Sequence, residues 1–281
     1  MSIRNQIEAT SASFTRSERK LATALLSDYP YAGLISIQEL AERAEVSPPS
    51  ISRFVSKIGL GGYADMQKRL LAELRDGQRS PVDLHATSKQ IEGGYLTGFL
   101  DRAADQMNSA SEAVTEGQFN RICDLLNDRK RRIYVVGGRI SDTIALILSF
   151  HLRQSREDVF HLPREPDVWP EYLLRMKPGD ILFLVDFRRY QRNLVRLAEQ
   201  ANARRAKVVL MTDKGLSPAT RFASEVVAVP IDMGTVWDSY STALAVTEAI
   251  VTRIAEETWG ETRARIEAWD AARETILENE P

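Results

Sequence analysis

The chain has 281 residues, 43% of them hydrophobic and 27% charged, which excludes a disordered chain, a collagen-like repeat and a disulfide-built miniprotein. Lys and Arg total 37 against 39 Asp and Glu, so the net charge of −2 excludes a strong overall attraction to nucleic acid. One cysteine, three scattered histidines, no bilayer-length apolar run and no signal-like start predict a cytoplasmic protein without disulfide, metal site or cofactor.

Length and patterning predict two domains, since a typical domain has roughly 150 residues. Helical periodicity is lost after about residue 75, and Gly77 and Pro81 both interrupt regular structure. The predicted divisions are a first domain over residues 1–77, a linker over 78–88 and a second domain over 89–281. The first domain has no run of β-branched residues and is predicted to be all-α. Residues 1–80 carry a net charge of +2, so any nucleic-acid binding is expected there, on a local surface.

Two capping boxes mark helix starts in the first domain. Thr15-Arg-Ser-Glu18 and Ser36-Ile-Gln-Glu39 both place a hydroxyl three residues before a carboxylate. In this arrangement, each side chain accepts a hydrogen bond from a free backbone N–H group at the start of the helix. Helices are therefore predicted to begin at both positions.

A helix-turn-helix pattern follows the second capping box. The helix runs from Ile37 to about Arg43, and Ala44-Glu45-Val46 is a tight connection to another start at Ser47. Pro48 suits the first helical position, because an N–H group would be unpaired there. Glu45 occupies the turn position where many such motifs carry glycine.

The second helix of this pattern has one apolar face and one hydroxylated, basic face. Its apolar residues recur at helical spacing and predict a buried stripe of Ile51, Phe54, Val55 and Ile58. The opposite face has no acid between residues 47 and 57, although acids favour the first turn of a helix. A helix-turn-helix reads base edges and contacts phosphates with such a face, and the alternative is a solvated face without a DNA role. The predicted DNA-binding residues are Ser47, Pro49, Ser50, Ser52, Arg53 and Lys57, the last of them for phosphate.

This motif resembles the RpiR-type bacterial transcriptional regulators, in which a helix-turn-helix domain precedes a sugar isomerase (SIS) domain. The resemblance rests on Ser36–Ser47, on Ser50–Leu60, and on Gly62-Tyr63 before a helix over about Ala64–Leu74. It implies a sequence-specific regulator of a metabolic operon, modulated by a small metabolite. A single helix-turn-helix covers few bases, so the paired heads of a homodimer or homotetramer are expected to read spaced half-sites of duplex DNA. Pro48-Pro49 departs from the more usual helix start and leaves the base preference open.

The second domain has the pattern of a doubly wound α/β sheet. Four apolar runs and a weaker fifth are separated by stretches with helical patterning. Unalternated runs of this kind fit parallel strands that helices bury on both faces. We predict a mostly parallel five-stranded sheet of flavodoxin-type order, entered through helices over Gln90–Thr115 and Gln118–Asp128. The predicted strands are Ile133–Val136, Val159–Leu162, Ile181–Val185, Val208–Met211 and Val226–Val229.

Two strand-to-helix loops are predicted to form a ligand site. The segment Ile133–Ser141 contains a buried strand, a Gly137-Gly138 turn and a helix start, an arrangement that receives anions on backbone N–H groups. The strand Ile181–Val185 ends in the loop Asp186–Gln191 before a further helix. In a flavodoxin-type sheet these loops meet beside the topological switch point, where such sheets bind ligands.

The second domain also resembles a SIS domain. The similarity includes Lys177–Asp180 before one strand, Ala206–Asp213 as the next strand and Leu216–Ala219 at a short helix. The resemblance implies a signature loop, Ser-x-Ser-Gly-x-Thr, whose hydroxyls and backbone hold a sugar phosphate. Aligned without gaps, this chain has Asp186, Arg188, Arg189 and Gln191 at the four positions, so none of the usual residues remains.

Two interpretations of the altered loop remain open. In the first, Arg188 and Arg189 form forks for a different anionic or carboxylated effector, because arginine pairs strongly with such groups. In the second, the site has lost its ligand and persists as an oligomerisation scaffold, because fold alone does not establish function. Ser141 contacts the ligand or only caps its helix. The predicted effector-binding residues are Gly137, Gly138, Arg139, Ser141, Asp186, Arg188, Arg189 and Gln191.

Catalysis is the weaker hypothesis for the second domain. An isomerase needs a base held over a bound sugar, and His151 is expected at a core or rim position instead. We therefore predict no catalytic residues. The alternatives to a DNA-binding regulator are an isomerase-like enzyme with an accessory helical domain and a ligand-free assembly module.

Overall fold

The structure is a computed structural model that describes residues 3–27, 29–76 and 79–277. It divides into two compact units, Met1–Arg79 and Ser80–Pro281. Within the predicted linker over residues 78–88, the structure has a helix, α6, over Pro81–Ala86, so the expected loss of helical structure there was wrong. The side chains of Ser80 and Asp83 form a capping box at its start, and Pro81 occupies the first turn, where proline is tolerated. Gly77 and Gln78 lie outside the described residues.

The first unit contains only helices among its described residues, which confirms the all-α prediction. Its helices are α1 Ile3–Thr10, α2 Arg16–Ser27, α3 Ile37–Arg43, α4 Pro48–Lys57 and α5 Tyr63–Asp76. Both predicted helix starts are present. The Thr15 N–H donates to Glu18 at 2.7 Å and the Glu18 N–H donates to the Thr15 hydroxyl at 3.3 Å. The Glu39 N–H donates to the Ser36 hydroxyl at 3.1 Å.

The second unit is built on a five-stranded, all-parallel sheet of order β2-β1-β3-β4-β5, which confirms the predicted flavodoxin-type order. Its strands are β1 Ile133–Gly137, β2 Val159–His161, β3 Ile181–Asp186, β4 Lys207–Thr212 and β5 Glu225–Ala228. Gly137 pairs with Val185 in the β1–β3 register, so these two central strands end at the same edge. The loops that follow them leave the sheet side by side.

Helices surround this sheet. They are α7 Tyr95–Asn108, α8 Ala110–Ala113, α9 Glu116–Asn127, α10 Asp142–Ser155, α11 Trp169–Arg175, α12 Arg192–Ala203, α13 Ser241–Glu257 and α14 Trp259–Leu277. The prediction of one helix over Gln90–Thr115 was too long, because residues 90–94 are not helical and the rest is broken into α7 and α8. No helix among the described residues has the length and apolar character needed to cross a membrane.

The sheet is buried on both faces, as its unalternated apolar runs predict. All six residues of β3 are buried, and alternate side chains enter two different cores. Ile181 and Phe183 pack on the side of α9, α10 and α13. Leu182 and Leu184 pack on the side of α11 and α12. The polar side chains of the sheet that could contact a ligand therefore lie at its edges and at the strand ends.

Candidate DNA-binding and effector sites

The helix α4 has the two faces that its sequence predicts. Ile51, Phe54, Val55 and Ile58 are all buried, which confirms the apolar stripe. Ser47 is the N-cap in extended conformation, and Pro48 begins the helix. On the other face Pro49, Ser52 and Arg53 are exposed. This face is therefore open to a macromolecule.

The polar side chains at the start of α4 contact one another. The hydroxyl oxygens of Ser47 and Ser50 lie 2.9 Å apart. The Arg53 guanidinium donates to the Ser50 hydroxyl at 3.4 Å, a long contact on the surface. Since none of these interactions is buried, the groups can exchange them for contacts to bases or phosphates. The structure thus brings Ser47, Ser50 and Arg53 together.

Lys57, at the end of α4, is placed differently. Its ammonium donates to Glu18 at 2.8 Å and to the Ser13 carbonyl at 2.7 Å, and it lies 5.7 Å from the centre of the Phe14 ring. The hydrogen bond from Lys57 is the largest cause that lowers the pKa of Glu18. Lys57 therefore joins the end of α4 to the start of α2, and a phosphate would have to compete with these partners.

The turn between α3 and α4 passes through a left-handed residue. Glu45 has φ 53°, a conformation that glycine adopts without strain. The position is therefore the one where glycine is usual in such motifs, as the sequence indicates. The Glu45 carboxylate accepts a hydrogen bond from Lys20 on α2, in an exposed ion pair.

At the sheet edge of the second unit, the loops after β1 and β3 meet. The Ser141 hydroxyl donates to the Val185 carbonyl at 2.9 Å, and the Gly138 N–H donates to both Ser141 and Val185. A Cβ atom on Gly138 would lie 3.3 Å from the Gln191 side-chain amide. Ser141 occupies the N-cap position of α10 without a capping hydrogen bond and instead ties the loops together. Gly138 and Ser141 therefore hold the loop after β1 against the loop after β3.

The start of α10 holds a buried carboxylate that the sequence analysis missed. Asp142 is almost fully buried, and its carboxylate accepts the Gly137 N–H at 3.0 Å. Nε2 of His161 lies 2.9 Å from this carboxylate, and Nε of Arg164 lies 3.2 Å from it. Burial alone would raise the pKa of Asp142, but the interactions with His161 and the hydrogen bonds from Gly137 and Arg164 together lower it. The sequence feature that could have predicted Asp142 as a site residue is an aspartate in the first turn of a helix that follows a Gly-Gly turn.

Asp186 is a second buried carboxylate, at the end of β3. The Gln191 N–H donates to it at 3.3 Å, and the Ser217 hydroxyl donates to its other oxygen. Burial, together with the neighbouring charge of Asp213, raises the pKa of Asp186 to about 7. The Gln191 N–H, at the N-cap of α12, is thus engaged by the protein's own carboxyl group, in a place where a ligand anion could accept it.

Arg188 points into the protein. Its side chain is 5% exposed, and its guanidinium lies 3.4 Å from Asp232 and 3.3 Å from Asp238. The Arg188 N–H donates at 2.7 Å to Asp213, which also accepts the Tyr190 hydroxyl at 2.8 Å. Burial raises the pKa of Asp213. This arrangement favours an internal role for Arg188 over the predicted ligand fork.

Arg139 and Arg189 are both exposed, on the two loops that meet. Arg139 follows Gly138 directly, and Arg189 lies two residues before Gln191 with φ 65°. Neither guanidinium has an ion-pair partner among the described residues. The two loops therefore present two available cations at the sheet edge.

His151 lies away from this edge, exposed on α10. It borders a groove of about 560 Å³ between α10, α13 and α14, and its ring packs edge-on against Phe150 at 5.6 Å. It is therefore not assembled with Asp142, Asp186 or the loop arginines into a catalytic group.

Two family models match the chain. The model described as "Helix-turn-helix domain, rpiR family" matches residues 1–77, and the model described as "SIS domain" matches residues 125–253. The HTH-type transcriptional regulator HexR of Pseudomonas aeruginosa is 25% identical over 233 residues, which are 80% of this chain and 78% of that protein. HexR of Escherichia coli K12 is 24% identical over 244 residues, which are 85% of this chain and 81% of that protein.

Solved structures share the fold. The sugar isomerase domain of an RpiR transcription factor from Sphaerobacter thermophilus has a TM-score of 0.58 at 19% identity, covering 63% of this chain and 98% of its own. The NanR protein of Vibrio vulnificus, complexed with ManNAc-6P, has a TM-score of 0.55 at 17% identity, covering 99% of this chain and all of its own.

Proposed function

Because the chain is an RpiR-type transcriptional regulator, in which a helix-turn-helix domain of the rpiR family precedes a SIS domain, we propose that α4 reads its operator. The chain is a DNA-binding regulator and not an enzyme. In this proposal it controls a metabolic operon in the bacterial cytoplasm, and a small anionic metabolite bound by the second unit modulates that control.

The observation that carries the DNA-reading proposal is the outward face of α4. Arg53 is exposed, and its only side-chain hydrogen bond among the described residues is to Ser50 on its own helix. The apolar stripe on the opposite face packs the helix against the core. Arginine near the N-terminal half of such a helix reaches guanine edges or phosphates. We assign base reading to Pro49, Ser50, Ser52 and Arg53, helix positioning to Ser47, and at most a secondary phosphate contact to Lys57.

The experiment that tests DNA reading is selection of genomic fragments by the full-length protein. Fragments from its own genome are bound at physiological salt, and the retained DNA is sequenced. We expect a spaced, two-fold symmetric motif, since paired heads read paired half-sites. Retention without any enriched motif would contradict sequence-specific regulation.

The effector proposal rests on the two exposed arginines at the sheet edge. Asp142 already accepts the Gly137 N–H at the end of β1, and Asp186 accepts the Gln191 N–H before α12. An incoming anion therefore finds its available cations in the exposed Arg139 and Arg189. The Gly137-Gly138 turn, Ser141 and Gln191 belong to the same two adjoining loops as these arginines. We therefore assign the anionic group of the effector, whether phosphate as in ManNAc-6P or carboxylate, to these two arginines, and to Arg188 an indirect role.

Calorimetry tests this assignment. Sugar phosphates and carboxylated metabolites are titrated into the wild type, Arg139→Ala/Arg189→Ala and Arg196→Ala, an exposed arginine on α12 that serves as the control. Loss of two charge-assisted pairs is expected to weaken binding by at least about 2 kcal/mol. Binding that survives the double substitution would reject the arginine site, and no binding of any compound would favour the ligand-free scaffold.

We also propose that the second unit forms the homo-oligomer, as a dimer or tetramer, that pairs the heads. The helix α10 exposes Leu146 and Phe150 one turn apart, and an apolar patch of this kind is typical of an interface. Phe150→Asp should dissociate the full-length protein in light scattering at micromolar concentration. Leu174→Asp, an exposed apolar position on α11 beyond the other face of the sheet, should not. A monomeric wild type would contradict the proposal.

A further inference from the structure

A groove of about 460 Å³ lies in the first unit, between α2 and the turn that joins α3 to α4. We call it the basic groove. Its charged lining consists of Arg16, Arg19, Lys20, Arg43 and Glu45. Four cations thus surround the basic groove against one acid, although residues 1–80 as a whole carry only a small positive charge.

The charge of the basic groove is only partly used inside the protein. Lys20 pairs with Glu45, and both side chains remain well exposed. The side chains of Arg16 and Arg19 are exposed, and neither guanidinium has an ion-pair or hydrogen-bond partner among the described residues. Two guanidinium groups are therefore available to an anion, on the wall formed by α2.

The position of these arginines on α2 is unfavourable for the helix itself. Arg16 is the first residue of α2 and Arg19 is the fourth. The N-terminal turn of a helix carries partial positive charge, so cations there cost stability. The acid of the same turn, Glu18, is directed to Lys57 and to the cap. Helix stability therefore gives no reason for two arginines at this place, whereas an external anion does.

The basic groove adjoins the end of α4 that meets DNA. Ala44 and Glu45 line it, and only Val46 separates them from Ser47, the N-cap of α4. When the N-terminal half of a recognition helix enters the major groove, the phosphates of the flanking backbone lie next to that end. The cation at the other end of α4, Lys57, is already engaged.

We propose that the basic groove binds the phosphate backbone of the operator, with Arg16 and Arg19 as the donors. The proposal rests on the proposed function of α4, because the DNA must be docked there first. Contacts to phosphate position the protein and carry no sequence information. The basic groove therefore contributes affinity and salt dependence, while α4 supplies the sequence preference.

The test compares variants of the full-length protein on two duplexes, the selected operator and a random sequence, between about 50 and 200 mM salt. Arg16→Ala/Arg19→Ala removes both donors, and Arg16→Lys/Arg19→Lys keeps both charges. Lys68→Ala removes an exposed cation of the same unit on α5. Thermal unfolding of each variant confirms that it is folded.

We expect the alanine double variant to bind both duplexes more weakly by the same factor, about tenfold, with a salt slope shallower by about 2. The lysine double variant and Lys68→Ala should keep the wild-type slope. An unchanged salt slope in the alanine double variant would overturn the basic groove proposal. An equal loss of affinity in the lysine double variant would overturn it too.

The same assay separates this proposal from the function of α4. If Arg53→Ala changes sequence preference while the alanine double variant behaves as wild type, α4 reads DNA and the basic groove does not bind it. If the wild type binds neither duplex, DNA reading by α4 is rejected, and the basic groove proposal is rejected with it.

Discussion

Two segments of this protein, the outward face of α4 and the loop after β3, both carry arginines predicted to bind a partner but have opposite structural environments. Arg53 on α4 is exposed, and in the described part of the chain its guanidinium hydrogen-bonds only to a serine of its own helix. Arg188 in the loop is 5% exposed, between Asp232 and Asp238. The difference shows that helical spacing determines exposure locally, whereas the partners of a loop arginine come from distant parts of the chain.

The largest expected effect is on the packed side of α4. Ile51 is completely buried, so Ile51→Asp places a charge in the core of the first unit and should cost about 4 kcal/mol or more. Hydrogen exchange should show loss of protection over residues 29–76. Ser52→Asp, the neighbouring exposed position, should keep the fold and lose only DNA binding. A folded Ile51→Asp variant would contradict the assigned faces.

The next effect sharpens the contrast between the two loop arginines. Removing Arg188 deprives Asp232 and Asp238 of the buried cation that they share, which should cost about 3 kcal/mol. Arg189→Ala, at an exposed position, should change the free energy of unfolding by less than about 0.5 kcal/mol. Denaturant titration of the second unit measures both. Equal stability of the two variants would show that Arg188 is not an internal residue.

A third prediction concerns pH and the loop after β3. The pKa of Asp186 is about 7 in the folded state, well above that of an unfolded aspartate, so folding binds a proton between these values. The contribution of the protonated Asp186 carboxyl group to the free energy of unfolding is present at low pH and is lost as the pH rises from about 4 to about 7.

Asp186→Asn removes this dependence, because the amide stays neutral and can still accept the Gln191 N–H. Relative to wild type, the variant should gain about 4 kcal/mol between pH 4 and pH 8, since each unit of pKa difference corresponds to about 1.4 kcal/mol. Asp213 and Asp142 also titrate, so the informative quantity is the difference between the two melting profiles. Parallel profiles would contradict the raised pKa.

The smallest effect is in the turn before α4. Glu45 has a positive φ, so Glu45→Gly should relieve backbone strain and stabilise the first unit by about 0.5 kcal/mol, even though the exposed pair with Lys20 is lost. Glu45→Ala also loses the pair but keeps the strain, and should not be stabilising. Thermal melts in which Glu45→Ala is stabilising and Glu45→Gly is destabilising would contradict the claim that the backbone at Glu45 is strained.

Much of the architecture follows from local sequence. The apolar runs predict the five strands, and the capping residues predict where α2 and α3 begin, because these signals act within a few residues. The same kind of signal underlies the apolar stripe of α4. The helix α6 was missed because Pro81 was interpreted as a helix breaker, although at the first turn it favours a helix start.

The internal chemistry of the sheet edge could not be predicted in this way. Asp213, Asp232 and Asp238 follow the loop arginines by 24 to 50 residues and reach Arg188 only through the fold. Likewise, Lys57 meets Glu18 from a different helix. Charge alone therefore indicates a cation that needs a partner, and only the structure tells whether that partner is internal or external.

The most direct test of DNA reading by α4 is the affinity of Arg53→Ala for the selected operator at fixed salt. The substitution should weaken specific binding by about 1 to 3 kcal/mol and relax the preference at the contacted base pair, with no change in thermal unfolding. Unchanged affinity and an unchanged base preference, in a variant that is folded, would contradict the claim that this helix reads DNA.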